Sequence, residues 1–246
     1  METIFCLWVT PVTYFESTDH HPKSPMRKLS QSQEDYIKTI FKLQKDEPVS
    51  TTDIAQAADV APATVTKALK KLAEMGLVSY RSYQGVTLTA AGRKVALEVI
   101  RHHRLLELYL KEVMGYSWDR LHEEAEHLEH HISEEFEDRL DEMLGYPTSD
   151  PHGHPIPARD GSFTEVNAVP LGSIPCGRSV VVHHLADDNT DLLAHLEDLA
   201  LMPGSTVEIV EIAPFDGPVT IRHRSKKQVI GRRVADSVFV IPPDPE

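Results

Sequence analysis

The sequence predicts a mainly α chain that ends in a small β-barrel, with a winged helix-turn-helix at its front. Three observations carry this. Apolar residues recur at helical spacing through most of residues 32–144. Two β-prone runs around a Gly-containing turn, "LVSYRSYQGVTLT", interrupt them near residue 80. From about residue 167 the pattern changes to short β-rich runs separated by Gly and Pro.

The first helix is expected in "SQEDYIKTIFKLQK", where Tyr36, Ile37, Ile40, Phe41 and Leu43 share a face and Ser32 is a candidate cap. "TTDIAQA" gives a short second helix. In "APATVTKALKKLAEMG" Pro62 suits a first helical turn, Val65, Leu69 and Leu72 form a buried stripe, and Gly76 suits the position past the end. Helix, helix, turn, helix, hairpin is the order of a winged helix-turn-helix. Residues 90–114 read as one long helix burying Val95, Val99, Ile100, Leu106 and Leu110. Residues 117–144 carry one or two more, with Ser133 as a possible cap between them. "GYPTSDPHGHPIP" is a loop, because its prolines and glycines cannot continue a helix. "SVVVHHL", "STVEIVEI", "PVTIRH", "QVIGRR" and "SVFVIP" are the strands of the barrel, and "TDLLAHLEDLAL" is a helix between the first two. The expected divisions are an extension without fixed structure at 1–27, a DNA-binding domain at 28–98, a helical metal-binding and dimerisation domain at 99–150, a linker at 151–166 and the β domain at 167–243.

Net charge is −13 over 246 residues, but its distribution is uneven. Residues 26–104 carry 13 Lys and Arg against 8 Asp and Glu, whereas residues 105–150 carry 3 against 14. A basic module followed by an acidic one points to a polyanion and a cation as partners. The two cysteines, Cys6 and Cys176, suggest no disulfide framework, so a cytoplasmic setting is expected. Neither a membrane partner nor a small organic substrate is expected. In the third helix Ala63, Thr64, Thr66 and Lys67 can approach base edges or phosphates, and Lys70, Lys71 and Arg81 can meet phosphates. Reading a palindromic operator in double-stranded DNA requires a homodimer, and apolar residues of 105–144 left over within one subunit can supply its interface.

The stretch "EEAEHLEHHISEE" asks whether its charges are a solvated face or converge on a cation. Wound as one helix at about 100° per residue, it shows an apolar stripe, an exposed acidic face, and a strip holding His122, Glu126, Glu129 and His130 beside the apolar one. Half-buried carboxylates are costly unless paired, and basic partners are scarce here. His103 and Glu107, four apart on the preceding helix, offer a second pair, and Asp35 lies at the edge of the first helix's stripe. His127 and His131 fall on the exposed face and His102 reads as a bystander. All candidate donors are carboxylate oxygen or imidazole nitrogen, which suits Mn²⁺ and leaves Fe²⁺ open.

"HRLLELYL", "LHEEAEHLEHHISEE" and "DPHGHPIP" resemble the metal-dependent repressors typified by the diphtheria toxin repressor and the manganese transport regulator. "GSTVEIVE", "GPVTIRH" and "IGRRVADSVFV" resemble the SH3-like domain of the longer members. The resemblance implies that Asp35, Glu126, Glu129 and His130 form a regulatory metal site and that His103, Glu107 and His122 form an ancillary one. It implies further ligands from the SH3-like domain, for which Asp188 and Asp191 are the candidates. It implies that Lys38 replaces a Glu of short manganese regulators, so that two separate sites fit better than a paired-metal centre. The function expected is a manganese-responsive repressor of metal-uptake genes, not an enzyme: "HEEAE" and "HLEHH" both lack the H-E-x-x-H spacing of metalloproteases. An iron-responsive repressor, or a DNA-binding protein whose acidic helix takes a protein partner, is the alternative; a metallohydrolase is the more distant one.

Overall fold

A computed structural model describes residues 29–242, except 165, 187 and 188 and the side chain of residue 119. The extension at 1–27 and the candidate ligand Asp188 lie outside the described residues.

The first module comprises α1 (Gln31–Leu43), α2 (Thr51–Ala57), α3 (Pro62–Glu74) and the antiparallel hairpin β1 (Val78–Arg81) and β2 (Gly85–Leu88). α1 starts earlier than the Ser32 cap predicts. Ser30 is the cap residue, and its N–H donates to the Gln33 side chain at 3.1 Å. Ser50 caps α2 by accepting from the Asp53 N–H, and Pro62 opens α3 as its fixed φ favours. Ile37, Ile40, Ile54, Val65, Leu69, Leu72 and Val86 are fully buried and form one core. The predicted stripe on α3 is therefore the packed one. On α1 the stripe narrows, because Leu43 at the helix end is exposed.

α4 (Ala90–Glu112) runs without a break from this module into the next. Thr89 caps it, accepting from the Gly92 N–H. A Cβ at Gly92 would lie 2.0 Å from the Leu77 carbonyl oxygen, so only glycine lets the helix start against the hairpin. α1 packs against α4, sharing a core with Ala96. The second half of α4 buries Leu105, Leu106 and Leu110 against α5 (Trp118–Leu128), α6 (Glu134–Met143) and the C-terminal domain. Ser133 caps α6 as expected, accepting from the Phe136 N–H.

The C-terminal domain contains β3 (Val169–Pro170), β4 (Ser179–Leu185), α7 (Thr190–Asp198), β5 (Thr206–Ile212), β6 (Val219–His223), β7 (Lys226–Ile230), α8 (Arg232–Asp236) and β8 (Val238–Val240). The strands form one antiparallel sheet in the order β3-β8-β4-β5-β6-β7. The predicted barrel is a correction: this sheet is open. β3 is only two residues long and ends in Pro170, which has no N–H to donate, while Lys226, Lys227 and Val229 leave β7 an exposed, charged edge. "QVIGRR" is likewise a strand only to Ile230. Gly231 then caps α8, which the β-rich reading of the segment missed. Among the described residues no helix is long and apolar enough to cross a membrane.

Candidate metal centre

α5 ends at Leu128, with Glu129 as its C-cap and His130 in the following turn. The single helical winding expected for 122–136 therefore holds as far as the cap and fails at His130. The turn carries His130 away from the α5 axis and against α1. The ligand strip is consequently split among three overlapping groups of donors: Asp35 with Glu129 and His130, His103 with Glu107 and His122, and His103 with Glu126 and Glu129.

The first group joins the DNA-binding module to the helical one. Asp35 Oδ1 on α1 lies 2.8 Å from His130 Nε2, and Glu129 Oε1 lies 3.3 Å from the same nitrogen. The sequence reading missed Glu34, whose Oε2 is 2.7 Å from His130 Nδ1. With Nδ1–H donated to Glu34, the Nε2 lone pair faces two carboxylates. Nε2 is buried and has no hydrogen-bond partner despite that proximity. Lone pairs converging in this way fit a divalent cation between them, and the all oxygen and nitrogen donor set suits a hard or borderline ion. Burial, opposed by His130 and aided by Glu126 and Glu129, pushes the Asp35 carboxyl up.

The second group is a near-equilateral triangle. His103 Nε2, Glu107 Oε1 and His122 Nδ1 lie 3.1 Å from one another. Glu107 is 1% exposed, and its Oε2 is buried without a hydrogen-bond partner. Burial would raise Glu107, but the His103 charge and hydrogen bonds from His103, His122 and His152 outweigh it and hold the carboxyl well below the usual range. Burial would lower His103, but Glu107 and hydrogen bonds to Glu107 and Glu129 push it up to about 9. His152, with Nε2 3.6 Å from Glu107, is the neighbour that sequence reasoning passed over. Its signal was the density of His and Asp in "DPHGHPIP", where the Asp150 side chain accepts from the His152 and His154 backbone N–H groups.

The third group links the other two through one imidazole. His103 points Nε2 at Glu107 and His122, and Nδ1 at Glu129 Oε2 2.5 Å away. Glu126, expected beside Asp35, turns instead to Lys38. The Lys38 ammonium lies 2.7 Å from Glu126 and 2.8 Å from both oxygens of Glu129. His102 joins no donor group, as expected, but it is no bystander. Its Nδ1 is 3.1 Å from the Glu129 carbonyl oxygen and its Nε2 is 3.2 Å from Glu137. His127 and His131 are exposed. Asp191 is exposed in the first turn of α7 and belongs to none of the donor groups found among the described residues, so the structure does not place it in the centre.

In the first module, Ala63, Thr64, Lys67, Lys70, Lys71 and Arg81 are exposed along α3 and the hairpin. Thr66 differs. It is half-buried, and its hydroxyl donates to the Pro62 carbonyl at 2.9 Å, which engages it with its own helix.

A winged helix-turn-helix joined by one continuous helix to a cluster of carboxylates and imidazoles defines a DNA-binding regulator under metal control. Residues 28–86 match the family described as iron dependent repressor, N-terminal DNA binding domain, and residues 89–158 match its metal binding and dimerisation domain. Residues 169–242 match the FeoA domain. The chain is 31% identical to the iron-dependent repressor IdeR of Mycobacterium leprae, over 87% of this chain and 99% of that protein. It is 32% identical to the diphtheria toxin repressor of Corynebacterium diphtheriae, over 82% and 92%. A solved manganese-dependent transcriptional repressor in complex with manganese superposes with a TM-score of 0.79 at 33% identity, covering 86% of this chain and all of that one. ScaR with bound Cd²⁺ gives 0.73 at 31%, covering 86% and 99%. The chain belongs to the diphtheria toxin repressor family of metal-dependent transcriptional repressors.

Proposed function

We propose that this repressor responds to Mn²⁺ and, as a homodimer, closes palindromic operators of metal-uptake genes. The observation that carries this is the grouping of Asp35, on the DNA-binding module, with Glu129 and His130, on the helical module, around the partnerless His130 Nε2. These three would hold the regulatory ion, with Glu126 engaged by Lys38 next to them; His103, Glu107 and His122 would hold the ancillary one. The ion supplies positive charge that neutralises carboxylates on both modules at once. Without it, Asp35 faces the charges of Glu126 and Glu129 across the module boundary. Glu34 holds the His130 ring in the tautomer that leaves Nε2 open, and His102 holds the Glu129 backbone. The regulatory ion must favour the DNA-competent arrangement, and DNA must then tighten metal binding by the same factor. Oxygen and imidazole donors without thiolate or thioether favour Mn²⁺ over softer ions; Fe²⁺ is the second reading, favoured by the iron-dependent relatives.

The exposed side chains of α3 and the hairpin are the DNA surface in this reading. Val113, Met114, Phe136 and Met143 stay exposed on the helical module and suit the dimer contact. The chain carries no catalytic role here. Anisotropy of a labelled fragment from upstream of its own gene, titrated with Mn²⁺ and anaerobic Fe²⁺, tests the assignment. Tightening by Mn²⁺ at lower concentrations than by Fe²⁺ is expected. Binding indifferent to both ions would defeat the reading.

Two further outcomes belong here. His131→Ala should leave Mn²⁺ affinity within about twofold of wild type, because the ring faces solvent on the turn. A large loss would show that the turn is wrongly placed. The second concerns pH. His103 in the metal-free protein keeps its proton up to about pH 9, and the ring must shed that proton to ligate. Raising the pH from 6 toward 9 should therefore strengthen ancillary-site binding by up to about tenfold per unit, with the gain ending above the His103 value. Calorimetry in buffers of different ionisation heat reads the released proton; an affinity flat across this range would contradict imidazole ligation.

A further inference from the structure

We propose that His183 and His184 on β4, completed by His154 from the loop after α6, form a further metal site, separate from the carboxylate-rich centre and suited to a late transition-metal ion of the Cu²⁺ and Ni²⁺ kind. The site lies on the seam between that loop and the C-terminal domain, and it stands whether or not the regulatory reading does.

Neighbouring residues of a strand normally point to opposite faces. β4 departs from that rule at these two histidines. Val182 faces Val240 of β8, yet His184, two residues on, faces Phe239, only one residue back, so His183 is the extra residue of a β-bulge. The adjacent rings are thereby turned together: His183 Nδ1 lies 2.9 Å from His184 Nδ1, with the ring planes at 89°. Phe239 stacks on the His184 ring at 4.5 Å and sets its plane. The loop meets the bulge at Gly153, where a Cβ would stand 2.1 Å from the His183 carbonyl oxygen, and at His152, whose carbonyl accepts from the Leu185 N–H at 2.9 Å. This contact puts the His154 ring 4.8 Å from the His184 ring. Asp150 shapes the loop by accepting from the His152 and His154 backbone N–H groups.

Two imidazole nitrogens this close either share one proton or both give a lone pair to one ion. Nitrogens about 2.0–2.1 Å from a common ion stand about 2.9 Å apart at a right angle and about 3.3 Å apart at a tetrahedral one. The observed spacing is the right-angled one, which belongs to tetragonal Cu²⁺ and Ni²⁺ and not to Zn²⁺. The donors here are imidazoles alone, whereas carboxylates enter every group of the main centre, so Mn²⁺ has the least claim on this pair. Burial, aided by His154, holds the His183 ring below its ordinary value and so favours the neutral form that ligates. All three rings are half-buried, and a cleft of about 550 Å³ bordered by Thr148, Gly153, His183 and Gly204 gives an ion access. As the rings stand, His154 does not converge with the pair closely enough to share an ion. Binding draws it in, and the loop is then tied to β4 through the metal.

Cu²⁺ bound per full chain is counted by equilibrium dialysis with Mn²⁺ present, for wild type, His183→Ala and His184→Ala, each checked as folded by its thermal midpoint. Wild type should bind one Cu²⁺ per chain more than either variant. The electron paramagnetic resonance spectrum of wild type, less that of His183→Ala, should be axial with coupling to at least two nitrogens. His154→Ala should keep this ion with an affinity lower by at least about tenfold. Equal counts in wild type and a folded His183→Ala would overturn the proposal and leave the two rings as a hydrogen-bonded pair. A difference spectrum without nitrogen coupling would do the same. Should neither variant fold, wild type alone decides: one equivalent of Cu²⁺ should shield His183 from modification by diethyl pyrocarbonate, and an unshielded ring would contradict the site.

Discussion

Glu129→Gln is expected to abolish metal-stimulated operator binding, with Mn²⁺ affinity at the regulatory site falling by at least about 100-fold. Several interactions converge on this one carboxylate. Its side chain is fully buried. It accepts from Lys38 through both oxygens, lies 2.5 Å from His103 Nδ1 and 3.3 Å from His130 Nε2, and its backbone carbonyl faces His102. Gln preserves the shape but brings an N–H₂ toward an ammonium and removes a negative ligand. Because His103 also belongs to the Glu107–His122 triangle, the ancillary site should weaken as well, by a smaller factor. A metal titration that separates the two sites checks this. Wild-type stimulation in a folded Glu129→Gln would mean that the centre lies elsewhere.

The largest expected effect on stability is at Glu137. Arg101, on α4, donates from Nε to Glu137 at 2.5 Å, from Nη2 to Asp141 at 2.6 Å and from Nη1 to the Pro157 carbonyl at 2.9 Å. His102 adds a contact to the second Glu137 oxygen. This buried network fastens α6 and the loop after it to α4. Glu137→Ala leaves the guanidinium with Asp141 and the Pro157 carbonyl, and the imidazole with the Glu129 carbonyl, which should cost about 3–5 kcal/mol and lower the unfolding midpoint by roughly 10 °C. Replacing Arg101 and Glu137 together by apolar residues should recover part of the loss, since the penalty arises from an unpaired buried charge. The pH dependence has a definite sign. Burial would raise Glu137, but hydrogen bonds from His102 and Arg101 outweigh it and hold its carboxyl at about 2, against 4.5 ordinarily. Its contribution is therefore complete above about pH 5 and is lost as pH falls from there toward 2, so the gap between wild type and variant should close over that interval. Thermal unfolding of both proteins across acid pH measures it; a gap that stays constant would assign the loss to packing alone.

Much of this architecture was legible as periodicity and punctuation. The α3 stripe, Pro62 at its first turn, the Ser133 cap and the long run into α4 are local signals, and local hydrogen bonding realises them. The open sheet was not legible, because closure depends on whether distant strands meet, and the brevity of β3 shows only once β8 and β4 have paired. The end of α5 was hidden for a different reason. No glycine or proline follows Leu128, and Glu129, His130 and Ile132 continue the helical spacing that the turn then breaks. The metal ligands could be named from their types and faces, but not their grouping, which only the family resemblance implied. Spacing alone does not bury Lys38; only the resemblance put it at a ligand position, and the fold places it between two carboxylates. Glu34 and His152 act through neighbours brought close by tertiary contact, and neither contact has a signature in spacing.

The central claim is that one ion is grasped by both modules. Anomalous diffraction at the manganese edge from crystals of the full chain grown with Mn²⁺ tests it most directly. A peak bounded by Asp35, Glu129 and His130, with the Lys38 ammonium still between Glu126 and Glu129, is the predicted result. Density confined to the His103–Glu107–His122 triangle, with Asp35 and His130 apart, would contradict it.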